Sequence, residues 1–292
     1  MFGDRFNRSW QVAKESYAVL KANPSLAFFP VISGLATLIV SIPFIAALIL
    51  TSIGEHHVSK NIYTPMHYLV TAAMYFANYF VIIFFNAALV ACANENLQGR
   101  PTTMSFGMRA AVQRLPQIIG WAAIASTVGM ILRLISERTG VVGSIVSSIV
   151  GLAWNVAVFF VVPVLVIDRE SPLAAIKTST GMIKQTWGER IILGIGVGTA
   201  MGILGLLVLI PIALAIGALV AGIWALGIFF FITAAMFILV LSVVGSAMTT
   251  IYQTALYLYC RTNMIPHGFQ PSSLQGAFAP KPDSKVSSFL RR

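Results

Sequence analysis

The stretch Ile191–Cys260, IILGIGVGTAMGILGLLVLIPIALAIGALVAGIWALGIFFFITAAMFILVLSVVGSAMTTIYQTALYLYC, contains no Asp, Glu, Lys, Arg or His. A helix crosses the hydrocarbon core of a bilayer with about 20 apolar residues. This run therefore holds two crossings, and a soluble domain has no core large enough to bury it. Working outward, further apolar blocks predict crossings at Leu26–Thr51, Met66–Ala91, Leu115–Ile135 and Val141–Ile167, followed by Ile191–Ala221 and Ile223–Tyr259 within the run. Backbone polar groups find no partner in lipid, so the crossings must be helices. A transmembrane barrel would instead show stretches of about ten residues with alternating polarity, and none is present. The predicted fold is all-α, a polytopic bundle of six transmembrane helices.

Composition agrees. Charged residues make up 10% of the chain, against roughly 25% in soluble domains. All but Lys60, Arg133 and Arg138 of the 19 Lys and Arg fall in the N-terminus, the 92–114 and 168–190 loops and the C-terminal tail. With six crossings these four segments share one side, and retention of basic loops makes that side cytoplasmic. Three shorter crossings in 191–260 would place the basic tail outside, against this rule. The net charge of +10 is accounted for by this bias and by an anionic leaflet, with no sign of a nucleic-acid groove. The first 25 residues lack the apolar core of a cleavable signal, so the first crossing is expected to serve as an uncleaved one.

Three cytoplasmic interfacial helices are predicted beside the crossings. In the segment 1–25, Phe6, Trp10, Ala13, Tyr17 and Leu20 recur at helical spacing, with cations mostly off that face, and Asn23-Pro24 stops the helix. Such a helix lies in the membrane interface, with Phe6, Trp10 and Tyr17 as anchors. Ser171-Pro172 starts a second, with Leu173, Ile176, Thr180, Ile183 and the anchor Trp187 as its stripe. Laying Phe6 on Ile176 also lays Ser9 on Ser179 and Lys14 on Lys184. A shorter third has the stripe Met104, Met108, Ala111 and Leu115. The domain plan is thus an interfacial helix at 1–25, a membrane domain at 26–260 and a flexible basic cytoplasmic tail at 261–292. Repeat-like units span 1–92, 101–167 and 171–260, each a surface helix followed by two crossings. Either duplication or the ease of inserting such a unit explains the plan.

The segments RSWQVAKESYAVLKANPSLAFFP, NENLQGRP and SPLAAIKTSTGMIKQTWGE resemble an uncharacterised prokaryotic family of six-helix membrane proteins. That family is loosely similar to the membrane region found beside some glycerophosphodiester phosphodiesterases. The resemblance spans roughly residues 5–262. It implies this architecture in a prokaryotic cytoplasmic (inner) membrane and transfers no catalytic residues.

Few residues invite chemistry. Arg133 and Glu137 are one turn apart at the outer end of a crossing, where an exposed pair is worth a few tenths of a kcal/mol. No ionisable group is expected at mid-depth, which counts against proton- or sodium-coupled transport. Ser33, Thr37 and Ser41, with Asn78, Asn86, Ser144, Ser148 and Asn155, either hydrogen-bond between helices or line a narrow polar path. Gly194, Gly198 and Gly202 form a small-residue ridge for helix packing, within the chain or against another copy. Pro30, Pro43, Pro163 and Pro211 are expected to kink or break their helices. Glu55, His56, His57 and His67 gather near one outer loop without good metal-ligand spacing. Cys92 and Cys260 are expected to be free thiols, and Cys92 lacks a nearby base for catalysis. No catalytic, cofactor or metal site is expected. The favoured reading is a non-enzymatic protein that interacts with lipid or serves as an assembly subunit, homo-oligomeric or part of a larger complex. The alternative is a channel or uncoupled transporter.

Overall fold

A computed structural model describes residues 2–55, 65–138, 140–187 and 197–278. These form twelve helices: α1 (Phe2–Ala22), α2 (Phe28–Glu55), α3 (Pro65–Leu97), α4 (Met104–Val112), α5 (Leu115–Arg138), α6 (Gly140–Ala157), α7 (Val161–Pro163), α8 (Pro172–Trp187), α9 (Val197–Leu206), α10 (Leu209–Val220), α11 (Trp224–Thr262) and α12 (Pro271–Phe278). No strand occurs among the described residues. Six segments are long and apolar enough to cross a membrane: Pro24–Thr51, Pro65–Leu97, Leu115–Glu137, Gly143–Asp168, Ala200–Val220 and Trp224–Thr262. Each coincides with a crossing expected from sequence, because hydropathy alone sets their extent.

The chain divides into two compact units. The first comprises residues 1–24, 97–99 and 182–292. Here α10 and α11 form a hairpin. Its turn closes with Gly222 N–H donating to Leu219 O and Ile223 N–H to Ala218 O, at 3.1 and 2.9 Å. This is a Schellman motif, and it needs the left-handed backbone that Gly222 supplies at φ 76°. Gly227 admits Leu219 where a Cβ would stand 2.6 Å from that side chain. The fifth crossing is interrupted at Leu207–Val208, between α9 and α10. Pro211 has no N–H to offer the Leu207 carbonyl, which accounts for the interruption.

With 39 residues, α11 is about 58 Å long at 1.5 Å per residue, far more than the bilayer core requires. Its burial is concentrated between Gly245 and Leu258, where it packs on α1 and α9. Its N-terminal half exposes Phe229, Phe231, Ile232, Met236 and Leu239, a face suited to lipid.

The C-terminal segment differs from expectation. Residues 261–292 read as a flexible tail, yet Phe269 and Leu274 are buried and 271–278 is helical. His267 N–H donates to Leu97 O at 2.8 Å, and Ser273 Oγ donates to Glu15 Oε1 at 2.6 Å. The Ser273 bond holds the segment to α1 and the His267 bond ties it to the end of α3, which its Pro- and Ser-rich composition concealed. Residues 279–292 lie outside the described residues.

The second unit comprises residues 25–96 and 100–181. α5 and α6 pair closely, with Trp121 stacked on Trp154 at 5.9 Å. α2 is joined to α3 by Ser41 Oγ, which lies 3.1 Å from Asn78 Oδ1. Apart from such contacts α2 exposes Leu35, Leu38, Ile42, Ile45 and Ile49. Of the kink or break expected at Pro30 and Pro43, there is no break at either: the helix is continuous through both.

The fourth crossing does break. α6 ends at Ala157, and the turn 158–160 separates it from α7. Pro163 cannot donate to the Phe159 carbonyl. The Ser179 hydroxyl meets the loose ends: it donates to Ala157 O at 2.7 Å and accepts from Phe160 N–H at 3.0 Å. A single π-helical turn, Val164–Asp168, then ends at Arg169, whose φ is 63°.

Candidate functional site

The short helices α1, α4 and α8 share one construction. Superposing Phe6 on Met104 and on Ile176 places Ser9, Gly107 and Ser179 in one position, and Ala13, Ala111 and Ile183 in another. All six are buried. A small residue lets one helix approach another closely. At Gly107 the approach is so tight that a Cβ would stand 2.6 Å from Cys92 Sγ, 2.7 Å from Ala88 O and 2.8 Å from Phe29 Cζ. At Ser179 the same place holds the hydroxyl that mends α6. The stripe predicted on α1 therefore divides: Ala13 and Leu20 are buried, Trp10 is half-buried and Tyr17 is exposed.

The opposite faces are also alike. On α1, Tyr17 is 50% exposed beside exposed Lys14 and Lys21. On α4, Phe106 is 43% exposed, one turn from exposed Arg109. On α8, Leu173 is 72% exposed, one turn from exposed Lys177, with Lys184 further along that face. Spacings of three, four and seven residues keep each apolar group and its cations on one face. Each short helix thus presents a large apolar side chain flanked by ammonium or guanidinium groups.

The second unit adds a corner of its own. Thr103 caps α4, its Oγ1 accepting from Phe106 N–H at 3.3 Å. α4 then turns into α5 through half-buried Arg114, whose N–H donates to Ala111 O and whose carbonyl accepts from Ile118 N–H, each at 2.9 Å. Gly120 lies under Pro172, where a Cβ would stand 3.0 Å from the proline ring. That contact seats the 168–172 loop beside the start of α5. Burial, and then the charge of Arg169, pull the Arg114 guanidinium below its usual pKa range. It stays a cation at neutral pH. Neither arginine has an ion-pair partner among the described residues. Glu170 instead accepts from the Thr178 hydroxyl at 2.8 Å. By contrast, Arg100 closes on Glu95 (Nη2 to Oε1, 2.9 Å), which raises the Arg100 pKa.

A family of unknown function (DUF6159) matches residues 65–267. The chain belongs to that family. The matched residues run from the start of α3 through α11, so both the Arg114 corner and the Ser179 repair lie within the family region. No curated protein matches the chain, and no solved structure does.

The other residues singled out by sequence fall as follows. Ser41 Oγ also lies 2.8 Å from the Thr37 carbonyl, so Thr37, Ser41 and Asn78 meet where α2 crosses α3. Ser33 and Asn86 are half-buried on those helices, while Asn155 is exposed on α6. Ser148 Oγ donates to Ser144 O within α6. Gly198 and Gly202 have no atom within 4 Å of an added Cβ, and Gly194 lies outside the described residues. Phe6 and Trp187 belong to α1 and α8, but their side chains lie outside the described set. Arg133 Nε donates to Glu137 Oε1 at 2.6 Å, as the spacing implied, and Nη1 donates to the Tyr75 hydroxyl at 2.8 Å. His56 and His57 lie outside the described residues, and among those described no His, Cys, Asp or Glu cluster could hold a metal. Both cysteines are free.

Sequence reasoning missed the Gly107 crossing and the Arg114–Arg169 corner. The first left a signal, a small residue one turn before the buried Ala13, Ala111 or Ile183. The second left none, because the two arginines lie 55 positions apart in sequence.

Proposed function

We propose that the protein is a non-catalytic multi-pass component of a prokaryotic cytoplasmic membrane, with both termini cytoplasmic, which engages the anionic leaflet through α1, α4 and α8. On this reading it organises lipid or supports a larger assembly. One observation carries it: the repeated outer face pairing Tyr17 with Lys14 and Lys21, Phe106 with Arg109, and Leu173 with Lys177 and Lys184. Apolar side chains enter the acyl boundary while flanking cations meet anionic headgroups, each cation contributing about 1 kcal/mol near such a surface.

The test is lipid retention. Native mass spectrometry of the gently extracted protein is expected to show anionic phospholipid enriched over its share in the membrane. Combined Lys14→Gln, Arg109→Gln and Lys177→Gln substitutions should remove the enrichment. Equal retention by wild type and variant would overturn the reading.

The transport alternative draws less support. Ser41 and Asn78 of the supposed path face each other across a 3.1 Å contact, a packing role for two of its eight residues.

A further inference from the structure

We propose that a second copy of this chain docks against α2 and α3 within the membrane, and that a pair of Asn78 amides closes the interface. The inference goes beyond the lipid reading and needs only the multi-pass architecture.

Ser41 lies midway between the ends of α2, Phe28 and Glu55, and meets Asn78 of α3. In a helix that crosses the bilayer this places both side chains near the middle of the hydrocarbon core, far from water. A serine hydroxyl has one proton to give. Ser41 Oγ lies 2.8 Å from the Thr37 carbonyl and 3.1 Å from Asn78 Oδ1, so the nearer carbonyl takes the larger share. A side-chain amide offers two donors and two acceptor lone pairs. Among the described residues Ser41 alone meets any of them, and Asn78 Nδ2 donates to nothing. Turning the amide over sets Nδ2 on Ser41 and leaves Oδ1 over instead, so capacity is unmet either way. One turn from Ser41, Thr37 Oγ1 is also buried without a hydrogen-bond partner. Polar groups left unsatisfied in hydrocarbon are costly.

The surroundings leave the amide open to a partner. Asn78 is half-buried. Leu38 and Ile45, a turn to either side of Ser41, are 68% and 48% exposed, and Ile82, one turn from Asn78, is 49% exposed. From Pro30 to Thr51 no residue of α2 is buried. A hydrogen-bonding centre with an exposed apolar rim is the arrangement of an interface, the rim keeping the centre dry.

The occupant must bring both a donor and an acceptor to mid-depth. Acyl chains carry neither, and lipid headgroups stay at the boundary of the core. A second copy inserted in the same orientation carries its own Asn78 to the same depth. Across a two-fold axis the two amides exchange N–H···O=C bonds, each supplying what the other lacks, and each residue meets itself as a closed dimer requires.

The test uses the full-length protein. Sedimentation equilibrium in a mild neutral detergent is expected to show a monomer–dimer equilibrium. Asn78→Leu should weaken dimerisation about tenfold, as for interhelical hydrogen bonds in membranes. Its helicity should be unchanged, because Ser41 keeps the Thr37 carbonyl and leucine suits lipid. Asn78→Gln retains the amide and should dimerise more tightly than the leucine variant. In native membranes, with Cys92 and Cys260 replaced by alanine, oxidation should cross-link Ile82→Cys into dimers and leave Ile149→Cys, exposed on α6, uncoupled. That arm keeps Asn78, so it decides the matter even where Asn78→Leu folds poorly. A wild type that stays monomeric at every concentration, undiminished dimerisation of Asn78→Leu, or equal cross-linking at positions 82 and 149 would overturn the proposal. So would a monomer that retains a lipid-soluble small molecule only when Asn78 is present, which would give the amide to that ligand.

Discussion

The Ser179 hydroxyl donates to the Ala157 carbonyl at 2.7 Å, across 22 positions of sequence. The same oxygen accepts from Phe160 N–H at 3.0 Å, so one buried side chain serves both ends of the break in the fourth crossing. Ser179→Ala removes both bonds, one to a part-buried carbonyl and one to a buried N–H, at a cost of about 1–3 kcal/mol. Thermal unfolding in detergent should show a clearly lowered Tm. An unchanged Tm would mean that another group supports the break.

The glycines divide into two kinds. At Gly107 an added methyl meets Cys92, Ala88 and Phe29 at under 3 Å, so Gly107→Ala should destabilise by about 1–3 kcal/mol through overpacking. At Gly198 nothing lies within 4 Å. There alanine should be neutral or stabilise by up to about 1 kcal/mol through helix propensity. Parallel Tm measurements decide it, and equal effects at the two sites would contradict the geometry.

α12 is held to α1 by Ser273 and Glu15, with Gln11 Nε2 donating to Gln270 Oε1, just before α12, at 3.1 Å. Losing the Ser273 bond to the carboxylate should cost about 1.5–3 kcal/mol. In Ser273→Ala, amide exchange in 271–278 is expected to speed up at least about tenfold, with α5 and α6 unaffected. Unchanged exchange would show that Phe269 and Leu274 suffice to hold the segment.

The orientation proposed for the chain is open to direct measurement. An alkaline phosphatase fused after Arg292 should be inactive in cells, and one inserted beside Lys60 should be active. The opposite pattern would reverse the assignment of the basic side.

The sequence by itself determined the class of fold and the place of all six crossings. Hydropathy is a local, additive property, and lipid leaves helices as the only answer for blocks such as Ile191–Cys260. It also placed three short helices with a 3.6-residue apolar periodicity, but on α1 that stripe divides between buried Ala13 and Leu20 and exposed Tyr17. Where neighbours decide, it was silent or misleading. The break at Pro163 became stable structure only because Ser179 arrives from another helix. Pro163 and Pro43 carry the same local signal, yet the chain breaks just before the first and stays helical through the second. Residues 261–278 looked like tail until α1 offered Phe269 and Leu274 a surface. Gly120 and Pro172 lie 52 positions apart in sequence, and only tertiary packing sets one against the other. Contacts of that kind are set by tertiary packing between helices, whose partners no local pattern specifies.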